Sequence, residues 1–523
     1  MNQRTRLVRF SAWLLLLCQL FVLIGCKPPV ADTPQDQEPR PPFENCVHID
    51  TDDNGHCDTC GITVLVVLDF YAINDLHGKF ADGDNHPGVD ELTTYLKTAV
   101  AADDSAILLS SGDTWQGSSE SNLTRGLILT DWMNALDFAC MTLGNHEYDW
   151  GEEAIEQNAE AAEFPFLAIN VYDRATNKRV DYCEPSVLIE QDGLIIGIIG
   201  AIGDCYSSIA PDKVEDVYFK TGSELTSLVK AESERLRSLG ADLIVYSLHD
   251  GYGKSSYDDV SVIPTSKLSS YYDISLSDGY VDLVFEGHTH QRYVHKDEHG
   301  VYHLQNGGDN KGICHVELSV NPLNDTWSIR EAEFVSTSSY SSLADDPIVN
   351  ELMEKYEKQV SIGTTVLGQN AASRDGSTLR SLVAKLYYDF GVEQWGDQYD
   401  IVLGGGFLSV RSPGYLPAGE VTYSQLQAVF PFDNRIVLCS VKGRDLSSKF
   451  FYTSNSNYFI YYDDYGASVK KNLDPNATYY IIVDSYTSSY APNRLTVVKE
   501  FEADYFARDL LAEYIKAGGL QSK

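Results

Sequence analysis

Five short segments concentrate side chains able to bind metal or move protons. They are Asn74-Asp75-Leu76-His77-Gly78, Ser111-Gly112-Asp113-Thr114, Leu143-Gly144-Asn145-His146-Glu147-Tyr148-Asp149, His249-Asp250 and Gly287-His288-Thr289-His290. Five of the chain's twelve histidines fall in them, four of these directly beside Gly, Asp or Asn. A lone histidine in a turn is usually structural or solvated, but five with carboxylate partners need a common cause. A pair of divalent cations supplies one. Two such ions about 3.5–4 Å apart need a bridging carboxylate, with nitrogen and oxygen ligands on either side. A short Asp at a rigid strand end, such as Asp113, suits the bridge. Asp75 and His77, two positions apart, project to the same side of an extended strand end. Asn145 adds a neutral amide oxygen. His249, His288 and His290 add nitrogen ligands of the kind zinc, manganese or iron accept. The set does not choose among Zn, Mn, Fe, Co and Mg.

These segments need rigid elements behind them. Apolar runs predict strands over 62–73, 106–110, 138–142 and 243–247, and helices over 89–102 and 124–136. Leu225, Leu228, Val229, Leu236 and Leu239 mark one face of a further helix. Strands alternating with helices imply an α/β layered sheet. In such sheets ligands collect beyond the carboxyl ends of the strands, where the polar segments fall.

Taken in order, the blocks DxH, GD, GNHE, H and GHxH resemble the calcineurin-like metallophosphoesterases. NDLHG, SGDTWQGS and LGNHEYD look more closely like the secreted 5′-nucleotidase family of bacteria, and the resemblance spans about residues 65–495. It implies a four-layered α/β/β/α sandwich over 62–340, a linker helix within 341–363 and an α+β substrate-binding domain over 364–523. On that family's plan Asp75, His77, Asp113 and His290 hold one metal, and Asp113, Asn145, His249 and His288 the other. His146 and Asp149 form a catalytic dyad, the imidazole stabilising phosphate charge and the carboxylate orienting it.

The second domain departs from the pattern. The family usually reads Asn-Gly-Gly-Gly-Ile-Arg, whereas this chain has Leu403-Gly404-Gly405-Gly406-Phe407-Leu408, with Arg411 three residues on. Gly405 and Gly406 would let the backbone approach a ligand closely, and Arg374, Arg380 or Arg411 would grip the phosphate. The family clamps a nucleobase between two aromatic rings. Phe432 falls at one ring position and Tyr486 at the other, two flat faces tolerant of base identity. The family's aromatic-Gly-Gly-Asp-Gly stretch is missing; Ala491-Pro492-Asn493 stands roughly there. The expected activity is two-metal phosphoester hydrolysis of nucleoside 5′-phosphates. Alternatives are a 2′,3′-cyclic nucleotide phosphodiesterase, a nucleotide-sugar hydrolase, another phosphomonoesterase, or a surface lipoprotein that captures nucleotides without turnover.

The amino-terminal 61 residues have other tasks. Arg4, Arg6 and Arg9 precede an apolar run from 10 to 24 that ends Leu23-Ile24-Gly25-Cys26, which resembles a bacterial lipobox with Cys26 as lipid attachment site. Residues 1–26 then read as a lipoprotein signal, 27–45, with six prolines, as an extended tether, and the body as anchored at the cell surface or in the periplasm. In the stem 46–61, Cys46, His48, Cys57 and Cys60 can supply one tetrahedral zinc set. Asp50, Asp52, Asn54 and Asp58 also resemble alternating calcium ligands, with Gly55 at the bend, and a disulfide-bonded spacer is the third reading. Cys140, Cys183, Cys205, Cys314 and Cys439 are widely spaced and read as buried thiols. The chain's 523 residues carry 39 Lys+Arg against 76 Asp+Glu, a formal charge of −37. That excess excludes recognition of a nucleic-acid polymer through a broad basic face.

Overall fold

In the computed structural model, residues 46, 48–52, 54–82, 87–102, 106–252, 261–263, 265–268, 272–323, 326–407, 414–447, 460–462, 473–502 and 505–521 are described. Cys26 and the tether lie outside them, as do Leu408 and Arg411. Among the described residues no helix is long and apolar enough to cross a membrane. The chain divides into a small unit ending at Thr63 and a large one from Val64. The boundary falls two residues later than the sequence implies because Ile62 and Thr63 belong to the stem. The Cys57 amide donates to the Ile62 carbonyl at 2.8 Å, and Thr63 pairs with His56.

Two sheets face each other in the first lobe of the large unit. The first strand, β1 (Val66–Ile73), runs parallel to β2 (Ala106–Ser110), which runs parallel to β3 (Cys140–Thr142). Strand Gly312–Asn321 pairs antiparallel on the other side of β1. The second sheet is built around the parallel strands Leu194–Ile202, Leu243–His249 and Leu283–Glu286. Alternation along β1 puts Leu68, Phe70 and Ala72 into the layer between the sheets. There they meet Ile196, Ile198, Val245 and Phe285. On the outer face of the first sheet, Leu92, Leu96, Trp132, Met133 and Ile155 from three helices pack against Leu108 and Met141. Helix Ser223–Ser238 covers the second sheet with Leu225, Val229 and Leu236. Four layers result, α/β/β/α. The parallel strands of both sheets end at the edge that carries the polar segments.

The helix predicted over 124–136 begins three residues later, as Leu127–Asn134, because Arg125 and Gly126 adopt left-handed backbone and separate it from the short helix Ser119–Thr124. The linker helix similarly breaks at Tyr356, into Pro347–Lys355 and Glu357–Val360. The carboxyl-terminal lobe has its own five-stranded sheet, in the order Ile460–Tyr462, Ile401–Gly406, Thr478–Asp484, Ile436–Lys442 and Leu495–Glu500. Helices Gly376–Trp395 and Ala507–Lys516 pack on one face. All five widely spaced cysteines are free and buried.

The glycine run lies inside this sheet, not in a ligand-facing loop. Gly405 and Gly406 pair with Tyr461 and Ile460, and Leu403 is buried in an apolar cluster with Val437 and Val483. Gly404 is required by packing: a Cβ there would stand 2.6 Å from the Ala384 carbonyl oxygen and against the Tyr388 amide, both in the covering helix. Gly404→Ala is therefore expected to cost ~1–3 kcal/mol through forced separation of helix and sheet, read as a lower urea midpoint. Unchanged stability would contradict that packing role.

Candidate metal centre and substrate cavity

The loops after β1 and β2 are knitted together before any ligand is considered. The amides of Asp75, His77 and Gly78 donate to the carbonyls of Gly112, Asp113 and Thr114, extending the parallel pairing past the strand ends. Asp75, His77, Asp113, His288 and His290 all have positive φ, between 48° and 66°. Left-handed backbone at a non-glycine residue costs ~1 kcal/mol or more, so these turns are held by their surroundings. Gly144 shows how close the packing is. A Cβ there would lie 2.7 Å from His249 Nε2 and overlap the Asp113 carboxylate.

The seven predicted ligands converge. His77 Nε2 lies 2.9 Å from His290 Nε2, His290 Nε2 is 3.3 Å from Asp75 Oδ1, and His77 Nε2 is 4.0 Å from Asp113 Oδ2. On the other side of Asp113, His249 Nε2 is 3.1 Å from Oδ2, and His288 Nδ1 is 3.0 Å from Asn145 Oδ1. Asp113 thus stands between the two groups. The Nδ1 of His77 faces the Gln116 carbonyl at 3.0 Å and that of His249 the Ser111 carbonyl at 2.6 Å. Donating there leaves each Nε2 as a ligand lone pair. His249 Nε2 is buried and has no hydrogen-bond partner despite its nearness to Asp113. An orphaned imidazole nitrogen, two carboxylates and an amide oxygen fit a pair of divalent cations.

Electrostatics point the same way. Burial alone would raise the Asp113 carboxyl, but the charges of His249, His146 and His77 hold it well below the ordinary value. Burial likewise opposes charge on His249, yet Asp113 prevails and pushes it up to about 10. His288 goes the other way, to about 4, through burial and the charge on His249.

Glu147 is the residue whose role the motif does not reveal. Wholly buried, it accepts from the amides of Asp113 (2.9 Å), Thr114 (2.8 Å), Trp115 (3.3 Å) and Gly144 (2.7 Å). One carboxylate thereby fixes the loops carrying Asp113 and Asn145. Burial, then the Asp113 charge, pushes it up to about 7.

His146 Nδ1 is 2.7 Å from Asp149 Oδ2, and the His146 amide donates to Asp113 Oδ1 at 2.8 Å. The dyad forms one wall of a cavity of about 250 Å³ that runs from Asn145 and His288 to the carboxyl-terminal lobe. Phe432 and Tyr486 line the same cavity, with the Phe432 ring 6.4 Å from that of His146 at 25°. Arg374 and Arg380 do not line it. Arg374 donates to Asn370 Oδ1 at 3.2 Å, and Arg380 sits on helix Gly376–Trp395. The cavity's cationic side chains are instead Lys213 and Arg508. Arg508, 5% exposed, donates to the carbonyls of Phe430, Pro431 and Phe432 and to Asp433 Oδ1. It holds the aromatic loop in place. Neither residue lies in a motif; a lone Lys after a proline and an Arg in a late helix carry no sequence signal.

Residues 68–292 match the calcineurin-like phosphoesterase family. Protein UshA of Yersinia enterocolitica is 26% identical over 467 residues, which cover 78% of this chain and 82% of that protein. A 5′-nucleotidase precursor from Thermus thermophilus superposes with a TM-score of 0.63 at 18% identity, covering 86% of this chain and 96% of the other. A 5′-nucleotidase from Candida albicans gives 0.60 at 16%, over 86% and 98%. At such identities these two structures speak to the fold, in both lobes.

Removing the Glu147 carboxylate should disturb both halves of the centre at once. Glu147→Ala leaves four buried amides without their acceptor and is expected to cost ~3 kcal/mol or more, with lower bound-metal content by mass spectrometry. Full metal occupancy in that variant would contradict the role assigned here.

Proposed function

From the match of residues 68–292 to the calcineurin-like phosphoesterase family and the 26% identity to a UshA protein over 467 residues, we propose that the chain is a 5′-nucleotidase that hydrolyses nucleoside 5′-phosphates to nucleoside and inorganic phosphate. The observation that carries this reading is the shared cavity. Asn145, His146, Asp149 and His288 line it together with Phe432 and Tyr486. A phosphate beside the first four would leave an aromatic-lined space for a flat leaving group.

When bound, a pair of divalent cations draws charge from the phosphoryl oxygens and makes water a nucleophile near neutral pH. Asp75, His77, Asp113 and His290 would hold one cation, with Asp113, Asn145, His249 and His288 holding the other. Asp149 accepts a hydrogen bond from Nδ1 of His146, so Nε2 addresses the phosphoryl group and stabilises its charge as the bond to the leaving oxygen breaks. Phe432 and Tyr486 stack on the base. Lys213 supplies positive charge that Arg374 and Arg380, away from the cavity, do not. Leu403, buried where the family has Asn, cannot contribute a polar contact, so leaving-group recognition rests on the rings. The leader and Cys26 support an extracytoplasmic, lipid-anchored location. A nucleotide-capturing protein without turnover has no use for the His146–Asp149 pair.

The test is phosphate release over a panel of nucleoside 5′-phosphates, 2′,3′-cyclic nucleotides, nucleotide sugars and non-nucleotide esters, each with saturating Mn²⁺ or Zn²⁺. Nucleoside 5′-phosphates are expected to lead in kcat/KM by about tenfold or more, equivalent to roughly 1.4 kcal/mol of added leaving-group binding. Preference for a non-nucleotide ester would overturn the substrate assignment. His146→Ala is expected to retain its metals while kcat falls about 10²–10³-fold. Phe432→Ala should act mainly on KM, raising it about tenfold with nucleotides, as loss of ~1–3 kcal/mol of stacking does.

A further inference from the structure

The stem lacks what normally holds a chain segment in place. Of its described residues from Cys46 to Thr63, only Cys57 is buried, so there is no apolar core to stabilise it. Segments of this size fold through cross-links or metals. Its three cysteines are nevertheless free thiols. Cys46 Sγ lies 3.4 Å from Cys57 Sγ, and Cys60 Sγ lies 3.3 Å from His48 Nδ1. The four ligand atoms all fall within 4.8 Å of one another.

We propose that Cys46, His48, Cys57 and Cys60 form a structural zinc site, closed and tetrahedral, independent of the catalytic centre. With zinc–sulfur bonds of about 2.3 Å and zinc–nitrogen bonds of about 2.0–2.1 Å, a tetrahedron has edges of roughly 3.5–3.8 Å. The two observed separations are within a few tenths of an ångström of those edges. They are far from a disulfide's roughly 2.05 Å. One disulfide would also leave a third thiol and the imidazole without a role, whereas a Cys₃His set uses all four groups.

The backbone is arranged for that closure. The Gly61 amide donates to the Cys57 carbonyl at 2.8 Å, closing the turn that brings Cys57 and Cys60 to one side. His48 is held in left-handed backbone, φ 52°. The acidic residues of the loop serve the fold and not a calcium ion. Asp50 accepts from the amides of Asn54 (3.2 Å) and Gly55 (2.8 Å), and Asp58 accepts from the Thr51 amide at 3.1 Å. A calcium loop also needs a bidentate Glu at its twelfth position; counted from Asp50, that position is Gly61.

The test compares the purified full chain with a Cys57→Ser/Cys60→Ser variant. Wild type is expected to hold one more equivalent of zinc than the variant, with phosphate release unchanged between them. Cobalt-substituted wild type should show thiolate-to-cobalt charge transfer that the variant loses. The proposed catalytic ligands include no thiolate, so this band reports the stem even if the substrate assignment is wrong. Equal zinc in both proteins, a disulfide in the non-reduced peptide map, or calcium retained in place of zinc would each overturn the proposal.

Discussion

The Asp113 carboxylate is 1% exposed, with His249 Nε2 at 3.1 Å and His77 Nε2 at 4.0 Å. Asp75, wholly buried, stands on the far side of His77. Two carboxylates cannot stay ionised so far from water unless positive charge is brought to them. The protein answers by drawing strand ends from two sheets together, so that four imidazoles face the same small volume. Each feature of the first lobe follows from that requirement. The parallel strands must end at one edge, the glycines beside the ligands must lack a Cβ, and five ligand residues must accept left-handed backbone.

Glu147 makes such a site structurally feasible, because a single buried carboxylate satisfies amides on two of the converging loops. It sits within the GNHE block, but its type alone suggests another metal ligand. Only its hydrogen bonds show that it is committed to backbone amides.

The convergence of the candidate metal ligands is legible in the sequence because strand-end placement and residue chemistry agree at five separate points. Asp75, His77, Asp113, Asn145, His249, His288 and His290 all arrive where that pattern puts them, as does the His146–Asp149 pair. The second lobe is legible only in part. Phe432 and Tyr486 reach the cavity, but Gly405 and Gly406 are strand residues, since a glycine run reads alike whether a ligand or a helix approaches it. Arg374 and Arg380 have the chemistry for phosphate without the position. Arg508 and Lys213 reach the cavity through tertiary packing, which no local pattern reports. The helix break at Tyr356 is likewise hidden inside the apolar periodicity of 347–360.

The two lobes divide the work. The sandwich fixes charge, and the smaller lobe presents aromatic surface through a loop that Arg508 fastens by three carbonyls and Asp433. A cation pair shared by Asp113 is tested most directly by anomalous X-ray scattering from crystals of the chain grown with Mn²⁺ or Zn²⁺. Two peaks are expected in the large unit, one on each side of the Asp113 carboxylate and both within coordination distance of it. A single peak, or peaks that do not share Asp113, would contradict it.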